Sequence, residues 1–258
     1  MARIHPTALV DRTAELAEDV EVGAYSIIGA HVTMGAGSRI GPHVVIIGRT
    51  RFGARNRVFQ FASIGEIPQD RKYGGEPTTT TIGDDNVFRE FVTIHAGTAQ
   101  DRGDTAIGNE NLFLAYTHVA HDCVVGNATI FSNNAQIAGH VKIDDWVVLG
   151  AYGGVHQFCR IGAHAMIGAG AKVFQDVPPF VTAAGDPARP HGTNTEGLRR
   201  RGFSPDDILA VRRAYKTLYR QGHSLEDARA MIAEVAERSP ALRPLVDFLD
   251  EPGRGIIR

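Results

Sequence analysis

The chain has 258 residues, 43% of them hydrophobic, and a formal net charge of −2. This length can bury a large core, and the near-neutral charge gives no overall attraction to nucleic acid or to an anionic membrane. No apolar run reaches the roughly 20 residues of a spanning helix, and the N-terminus lacks an apolar signal segment. We therefore expect a cytoplasmic protein with no integral membrane segment and no nucleic-acid partner. Its two cysteines are too few for a disulfide framework or a tetrahedral thiolate site.

An aliphatic or phenylalanine residue recurs at every sixth position from Ile4 to Ile64, without one slip of register. An even period suits strands, whose side chains alternate between two faces, and does not fit an α-helix, whose apolar residues recur near 3.6. Six-residue repeats are typical of a parallel β-helix. Three hexads would close a triangular coil of about 18 residues, so we predict apolar columns that stack inward at ~4.8 Å per coil.

Two polar segments interrupt this repeat, residues 66–80 and residues 98–105. The repeat resumes after them, at Ile82 and at Ile107, and then runs to Val173. Segments rich in Gly, Pro and polar residues between periodic stretches are typical of loops. We predict that both are extruded from corners of the coil.

The hexad pattern is expected to end at Pro178-Pro179, because proline cannot donate to a strand ladder. The sequence therefore predicts two domains, a β-helix over residues 1–190 and a small helical domain over residues 191–258.

Helix starts are predicted at Ser204, Ser224 and Ser239, the first two of which precede acidic residues at the positive end of the helix dipole. Between Arg189 and Arg220, eight basic residues face three acidic ones. A solvated helix face and a docking surface for an acidic partner explain this excess equally well.

Four histidines, His118, His121, His140 and His156, lie within residues 117–158. The hexads of the last three are three apart, so these side chains are predicted to share one face in successive coils, with His118 at the corner before it. A single outward histidine is most simply a turn residue. The predicted vertical cluster is what indicates a functional site.

The same arithmetic places Gly139 directly above His121, and Gln157 above Gly139. A neutral imidazole can take a proton from an acceptor hydroxyl, and a backbone N–H such as that of Gly139 can hold a developing oxyanion. Asp122 could orient His121, but neighbouring strand residues point to opposite faces, so this pairing requires a local bend. A metal site is the second interpretation, because imidazole is a common ligand.

Beyond the hexads, the chain carries more specific motifs, which include Gln69-Asp70-Arg71-Lys72-Tyr73, His118-Val119-Ala120-His121-Asp122-Cys123, Ala138-Gly139-His140-Val141, Val155-His156-Gln157-Phe158-Cys159 and Glu196-Gly197-Leu198-Arg199-Arg200-Arg201-Gly202-Phe203. Nearly end to end, the sequence closely resembles the acyl-carrier-protein-dependent UDP-N-acetylglucosamine O-acyltransferases that begin lipid A biosynthesis.

This resemblance implies a mainly β protein, a left-handed parallel β-helix of hexapeptide repeats with a small C-terminal α-helical domain. It also implies a homotrimer with sites at subunit boundaries, and no metal or other cofactor. The acyl chain would arrive on the phosphopantetheine of acyl carrier protein. The expected reaction transfers an (R)-3-hydroxyacyl chain to the 3-hydroxyl of UDP-N-acetylglucosamine, with His121 as general base and the Gly139 N–H as oxyanion donor.

The resemblance also assigns binding roles by position. The residues expected to contact sugar, phosphate or acyl groups are Asp70, Lys72, His118, His140 and His156, with Gln157 at the acyl 3-hydroxyl. Those expected near the nucleotide are Asn194, Glu196, Arg200 and Arg201. The residues expected to bind the acidic carrier protein are Arg212, Arg213 and Lys216. The loop at 66–80 would reach over the neighbouring subunit's groove.

Ala169 occupies a position where, in this family, residue size measures acyl length, so its methyl group is expected to shorten the preferred chain. Two alternatives stay open: a metal-dependent β-helix enzyme of the gamma carbonic anhydrase type, and the related N-acyltransferase of the same pathway. The N-acyltransferases typically carry an extra N-terminal uridine-binding domain, whereas hexads here begin at Ile4. The sequence does not separate a 3-hydroxyl acceptor from a 3-amino variant of the sugar.

Overall fold

The computed structural model describes residues 2–251 and 253–258. Most of the chain is a succession of very short strands joined by tight corners. The strands are β1 (Arg3–Ile4), β2 (Leu9–Val10), β3 (Glu15–Leu16), β4 (Glu21–Val22), β5 (Ile27–Ile28), β6 (Thr33–Met34), β7 (Arg39–Ile40), β8 (Val45–Ile46), β9 (Arg49–Phe52), β10 (Arg57–Val58), β11 (Ser63–Glu66), β12 (Thr79–Ile82), β13 (Val87–Phe88), β14 (Thr93–His95), β15 (Asp104–Ile107), β16 (Leu112–Phe113), β17 (His118–Val119), β18 (Val124–Val125), β19 (Ile130–Phe131), β20 (Gln136–Ile137), β21 (Lys142–Ile143), β22 (Val148–Leu149), β23 (Gly154–Val155), β24 (Arg160–Ile161), β25 (Met166–Ile167), β26 (Lys172–Val173), β27 (Val181–Ala184) and β28 (Arg189–Thr193).

Every third strand from β1 to β26 belongs to the same sheet, so the chain winds through three sheets in turn. In coils without an insertion, parallel partners lie 18 residues apart, as in Val119 opposite Ile137 and Ile137 opposite Val155. From Val22 to Val173, the apolar residue of each hexad is buried, which forms one continuous core along the axis, whereas Ile4 at the open end is 44% exposed. The predicted 18-residue coil and inward columns are therefore confirmed, and the coils wind with the expected left hand.

The backbone conformation of the corner residues lets the chain change direction after each two-residue strand. Many corner residues adopt positive φ without being glycine, among them Asp122 at 58° and His140 at 63°. Such residues are uncommon, and Asn, Asp and His are enriched there because their short polar side chains bond locally. These bends break the strict alternation of side chains that a continuous strand would show.

Both predicted loops are present, with shifted limits. Strand β11 extends to Glu66 and β12 begins at Thr79, so the first loop covers residues 67–78. The second loop covers residues 96–103, because β15 begins at Asp104. The coil continues across each insertion, since Ile64 pairs with Ile94 and Ile94 pairs with Val119.

One buried corner carries a ladder of side-chain amides. Asn56 Oδ1 accepts hydrogen bonds from the backbone N–H (3.0 Å) and side-chain amide (3.1 Å) of Asn86. Asn86 Oδ1 accepts from Asn111 N–H at 2.9 Å, and Asn111 Oδ1 accepts from Thr129 N–H at 2.8 Å. The ladder satisfies backbone donors that the corner would otherwise bury without partners.

The six-residue pattern ends at Pro178-Pro179, but the coil itself continues for one more strand. Strand β27 continues the first sheet by pairing in parallel with β25, and the two prolines sit in the corner before it, where the ladder needs no N–H. Strand β28 then pairs antiparallel to β27. The expected domain boundary at residues 190 and 191 therefore falls inside β28.

The C-terminal helices are α1 (Thr195–Arg200), α2 (Pro205–Tyr219), α3 (Leu225–Ala236) and α4 (Arg243–Asp250), with a 3₁₀ turn at Pro240–Leu242. Ser204 and Ser224 cap α2 and α3 as predicted, and Ser204 forms a reciprocal capping box with Asp207. Helix α1 was not predicted, because six residues give no clear period. The helices bury a second apolar core of their own. Within the residues that the structure describes, no helix is long and apolar enough to cross a membrane.

Candidate active site

The site centres on the histidine corner, which we define as residues 120–123, 138–141 and 156–159 of three successive coils. His121 follows β17 and lies in the turn that leads to β18. The positive φ of Asp122 swings its carboxylate back toward the preceding residue, and His121 Nδ1–H donates to Asp122 Oδ2 at 2.9 Å. This is the local bend that the pairing required. Because a carboxylate only accepts, the bond leaves His121 Nε2 as the proton-accepting nitrogen of the neutral ring.

Asp122 is itself held from the second loop. Thr98 donates its backbone N–H to both carboxylate oxygens, at 2.9 and 3.1 Å, and its hydroxyl to Oδ2 at 2.6 Å. Burial by itself raises the pKa of Asp122, but the bonds from Thr98 and His121 outweigh it, so the pKa lies below its usual value. Asp122 thus stays ionised and fixes the His121 ring. Thr98 could not be predicted as a site residue, because only the folded loop brings it to Asp122.

Gly139 lies against the His121 ring, as the coil arithmetic predicted. A Cβ at this position would sit 2.6 Å from His121 Cε1 and 2.7 Å from Nε2, closer than atoms can pack. Gly139 N–H donates no hydrogen bond to any described residue, whereas the next amide, of His140, bonds the His121 carbonyl at 3.0 Å. A free donor therefore lies beside the proton-accepting nitrogen.

His118 was expected at a corner but lies on β17 itself. His121 and His140 lie in the corner turns. His118 shares a hydrogen bond of 2.8 Å with the Thr93 hydroxyl and stacks edge-on against His95, with ring centroids 4.9 Å apart. Burial, with a smaller contribution from the His95 charge, lowers the pKa of His118 to about 4. Burial also lowers the pKa of His95, to which the sequence analysis gave no role.

These residues line a cavity of about 440 Å³. Its polar part includes His121, Gly139, His118 and His156, and its wall also carries apolar side chains. The remaining lining residues are Gln69, His95, Ala120, Gln136, Ile137, Ala138, Gly154, Val155, Lys172, Val173 and Phe174. A concave site that combines polar groups with an apolar wall is typical of a pocket for a small amphipathic ligand.

A second cavity, of about 530 Å³, lies where the first and second loops approach the histidine corner. It is lined by Asp70, Lys72 and His140, so the structure separates these three predicted binding residues from His118 and His156. The His140 ring stacks on Phe158 (4.3 Å between centroids) and lies edge-on to His121 (4.9 Å). Its Nδ1–H donates to Asp101 Oδ2 at 2.6 Å.

The predicted nucleotide residues lie on and around α1, and none of them lines either cavity among the described residues. Asn194 caps α1 and donates to the His164 carbonyl at 2.9 Å. Glu196 pairs with Arg200, and the Arg201 guanidinium lies over the Trp146 ring at 5.2 Å.

The remaining predicted residues lie on the surface. Gln157 and Ala169 are exposed at corners of the coil. The carrier-protein residues Arg212, Arg213 and Lys216 are exposed on α2.

His121, Asp122 and His140 are also the described residues whose ligand atoms could hold a metal ion, since these atoms lie within 4.8 Å of one another. Two imidazoles and a carboxylate suit zinc and similar ions. The Nδ1 atoms of both histidines and both Asp122 oxygens also take part in the hydrogen bonds described above.

Comparison with known proteins decides the family. A family model described as UDP-N-acetylglucosamine O-acyltransferase domain 2 matches residues 176–257, and a model of bacterial transferase hexapeptide repeats matches residues 13–48. The chain is 57% identical to acyl-[acyl-carrier-protein]–UDP-N-acetylglucosamine O-acyltransferase from Thiobacillus denitrificans, over the whole of both chains. This chain belongs to the UDP-N-acetylglucosamine O-acyltransferase family.

Solved structures of the family agree along nearly the whole chain. The enzyme from Moraxella catarrhalis is 44% identical with a TM-score of 0.96, and the match covers 99% of each chain. The enzyme from Francisella novicida is 41% identical with a TM-score of 0.97, covering 99% of this chain and 94% of that one. The family and the fold expected from the sequence motifs are thus confirmed, and the chain is an acyltransferase.

Proposed function

We propose that this acyltransferase moves an (R)-3-hydroxyacyl chain from acyl carrier protein to the 3-hydroxyl of UDP-N-acetylglucosamine, the first step of lipid A biosynthesis. The observation that carries the mechanism is the His121–Asp122 hydrogen bond of 2.9 Å beside the free amide of Gly139. The names of the relatives support the two substrates.

In the proposed reaction, His121 Nε2 removes the proton from the sugar 3-hydroxyl as its oxygen attacks the thioester carbonyl. The carbonyl π electrons move to oxygen, and the Gly139 N–H stabilises the resulting oxyanion. When the carbonyl reforms, the C–S bond breaks, and the phosphopantetheine sulfur leaves with the proton from His121. Asp122 keeps the imidazole oriented and stabilises its charged form.

We further propose that binding extends over both cavities and across a subunit boundary. His118 and His156 line the first cavity, while Asp70, Lys72 and His140 line the second. Since Asn194, Glu196, Arg200 and Arg201 line neither, the nucleotide would be held where α1 of one chain meets the site of another in a homotrimer. Gln157 would bond the acyl 3-hydroxyl, and Ala169 would shorten the acyl channel.

The exposed basic face of α2, formed by Arg212, Arg213 and Lys216, would attract an acidic carrier protein. We propose that the reaction uses no metal and no cofactor beyond the carrier's phosphopantetheine, and that it takes place in the cytoplasm.

The decisive experiment incubates the protein with UDP-N-acetylglucosamine and a mixture of 3-hydroxyacyl carrier proteins, and identifies the product by mass spectrometry and NMR. We expect a 3-O-ester, with chains shorter than the longest offered. A parallel incubation offers the 3-amino analogue of the sugar, and transfer to that analogue only would contradict the proposed acceptor. Preference for the longest chains would contradict the role of Ala169. Loss of activity with a chelator, together with stoichiometric metal in the protein, would favour the carbonic-anhydrase type of chemistry.

The base assignment has its own test in His121→Ala. We expect kcat/KM to fall by a factor of about 10²–10⁴, with an unchanged circular dichroism spectrum. His5→Ala, at an exposed histidine of the first coil, is the matched control and should keep full activity. Undiminished turnover in His121→Ala would rule out this histidine as the base.

A further inference from the structure

The second loop delivers a second carboxylate to the histidine corner. Asp101 Oδ2 accepts the Nδ1–H of His140 at 2.6 Å, although the two residues are 39 positions apart in the chain. The same His140 nitrogen lies 3.9 Å from Asp122 Oδ2, beyond hydrogen-bond length. His140 therefore stands between two carboxylates and is bonded to only one of them.

Asp122 has little capacity left for another donor. Its Oδ2 already accepts the Thr98 hydroxyl and the His121 Nδ1–H, and it is also within 3.1 Å of the Thr98 N–H. The His140 and His121 rings are in edge-on contact at 4.9 Å. If His140 lost its bond to Asp101, Asp122 would be the nearest carboxylate within reach of a small ring rotation, and the two histidines would compete for it.

We propose that Asp101 is a positioning residue that holds the Nδ1–H of His140 and so reserves the Asp122 carboxylate for His121. Two consequences follow. The neutral His140 ring carries its proton on Nδ1, which leaves Nε2 as an acceptor for a substrate hydroxyl. The second loop controls both histidines, since Thr98 fixes Asp122 and Asp101, three residues further on, fixes His140.

The first test needs no substrate. In protein labelled with ¹⁵N-histidine, NMR should show His140 as the Nδ1–H tautomer. In the Asp101→Ala variant the Nδ1–H signals of His140 and His121 should both shift, because the two rings then compete for Asp122. Asp101→Asn should keep the wild-type signals, because its amide oxygen still accepts the N–H. Identical His140 signals in wild-type and Asp101→Ala protein would overturn the proposal. Arg102→Ala, at the exposed neighbouring position, should leave these signals unchanged.

The second test rests on the proposed function and measures acyl transfer. We expect Asp101→Ala to lower kcat by about 10-fold, because a misplaced base loses alignment, while KM changes by less than about 2-fold. Asp101→Asn should recover most of this loss, and Arg102→Ala should retain wild-type kcat. In a His140→Ala background, Asp101→Ala should change kcat by less than about 2-fold, since the effect passes through His140.

Equal losses in both backgrounds would show that Asp101 does not act through His140 and would overturn the proposal. Failure of the wild-type protein to form product would refute the proposed function instead, and the tautomer measurement would still decide the role of Asp101. Because the Asp101 side chain is 43% exposed, its substitution should cost the fold little. A circular dichroism melt of each variant checks this.

Discussion

The chemistry of His121 depends on three residues that come from different parts of the coil. Asp122 follows it in sequence and reaches it only because the corner has a positive φ. Thr98 comes from an extruded loop, and Gly139 comes from the next coil. Asp122 orients the His121 ring, and Thr98 holds the charged Asp122 carboxylate in place. Gly139 leaves space beside the proton-accepting nitrogen.

Gly139→Ala tests the need for this space. An added methyl group would lie 2.6 Å from His121 Cε1, so the ring must move away from Asp122. We expect kcat to fall by about 10²-fold while the coil stays folded, as assayed by acyl transfer and circular dichroism. The control is Gly74→Ala, where the methyl group meets only ordinary contacts and activity should persist. An active Gly139→Ala enzyme would show that the ring has room to adapt.

For single residues, the sequence predicted which side chains form the site better than where each one lies in the coil. The 18-residue period was enough to place Gly139 over His121, because stacking in a β-helix is set by the backbone. It was not enough to place His118 or to find the Asp122 bend, because the alternation rule fails where φ becomes positive. Contacts from Thr98 and Asp101 were beyond prediction, since a loop outside the repeat has no register to read.

Among the elements, the second loop has the largest influence on the site, although it adds no strand to the coil. Residues 96–103 contribute Thr98 to Asp122 and Asp101 to His140. The first loop brings Gln69 to the first cavity and Asp70 and Lys72 to the second. The two insertions thus complete a site that the regular coils only begin.

Thr98→Val tests the contribution of the second loop to Asp122. The change removes the hydroxyl bond of 2.6 Å to a buried carboxylate, which should cost about 1–3 kcal/mol of stability and lower kcat several-fold. Thermal melts and acyl-transfer kinetics measure the two effects. Thr81→Val, which removes an exposed threonine bond to Asp104, should leave kcat unchanged. Equal kinetics for the two variants would argue against anchoring by Thr98.

On the scale of the whole molecule, the fold partly buries two histidines, His118 and His164, and this burial favours their neutral form. Burial lowers the pKa of His118 and of His164 to about 4, from a usual value of 6.5. Between these two values the unfolded chain binds more protons than the native one, so stability should fall as the pH drops from 6.5 to about 4. Melting temperatures across this range should follow this trend. His118→Gln and His164→Gln should each flatten the curve, whereas His5→Gln, at an exposed site, should not. A curve that stays as steep in both variants would refute the assignment.

The proposed trimer predicts complementation between inactive chains. If α1 of one subunit serves the site of another, a chain with Arg200→Ala and a chain with His121→Ala should form some intact sites when co-expressed. We expect each single variant to be inactive and the mixture to recover part of the wild-type rate, with a particle mass three times that of one chain by light scattering. Mixed trimers with no recovered activity would place both residues in the same subunit's site. No periodicity or spacing in the chain indicates a trimer; this expectation came from the family motifs.

The amide ladder from Asn56 to Thr129 has a mechanical consequence. Its bonds run along the axis of the coil, so pulling the ends of the molecule apart would load them in parallel with the backbone bonds between the same coils. The terminal coils lie outside this run and would detach first, about 18 residues at a time. The coils between Asn56 and Thr129 hold the second loop and His121, so the ladder would keep His121, Asp122 and Thr98 together under a tension that already unravels the ends.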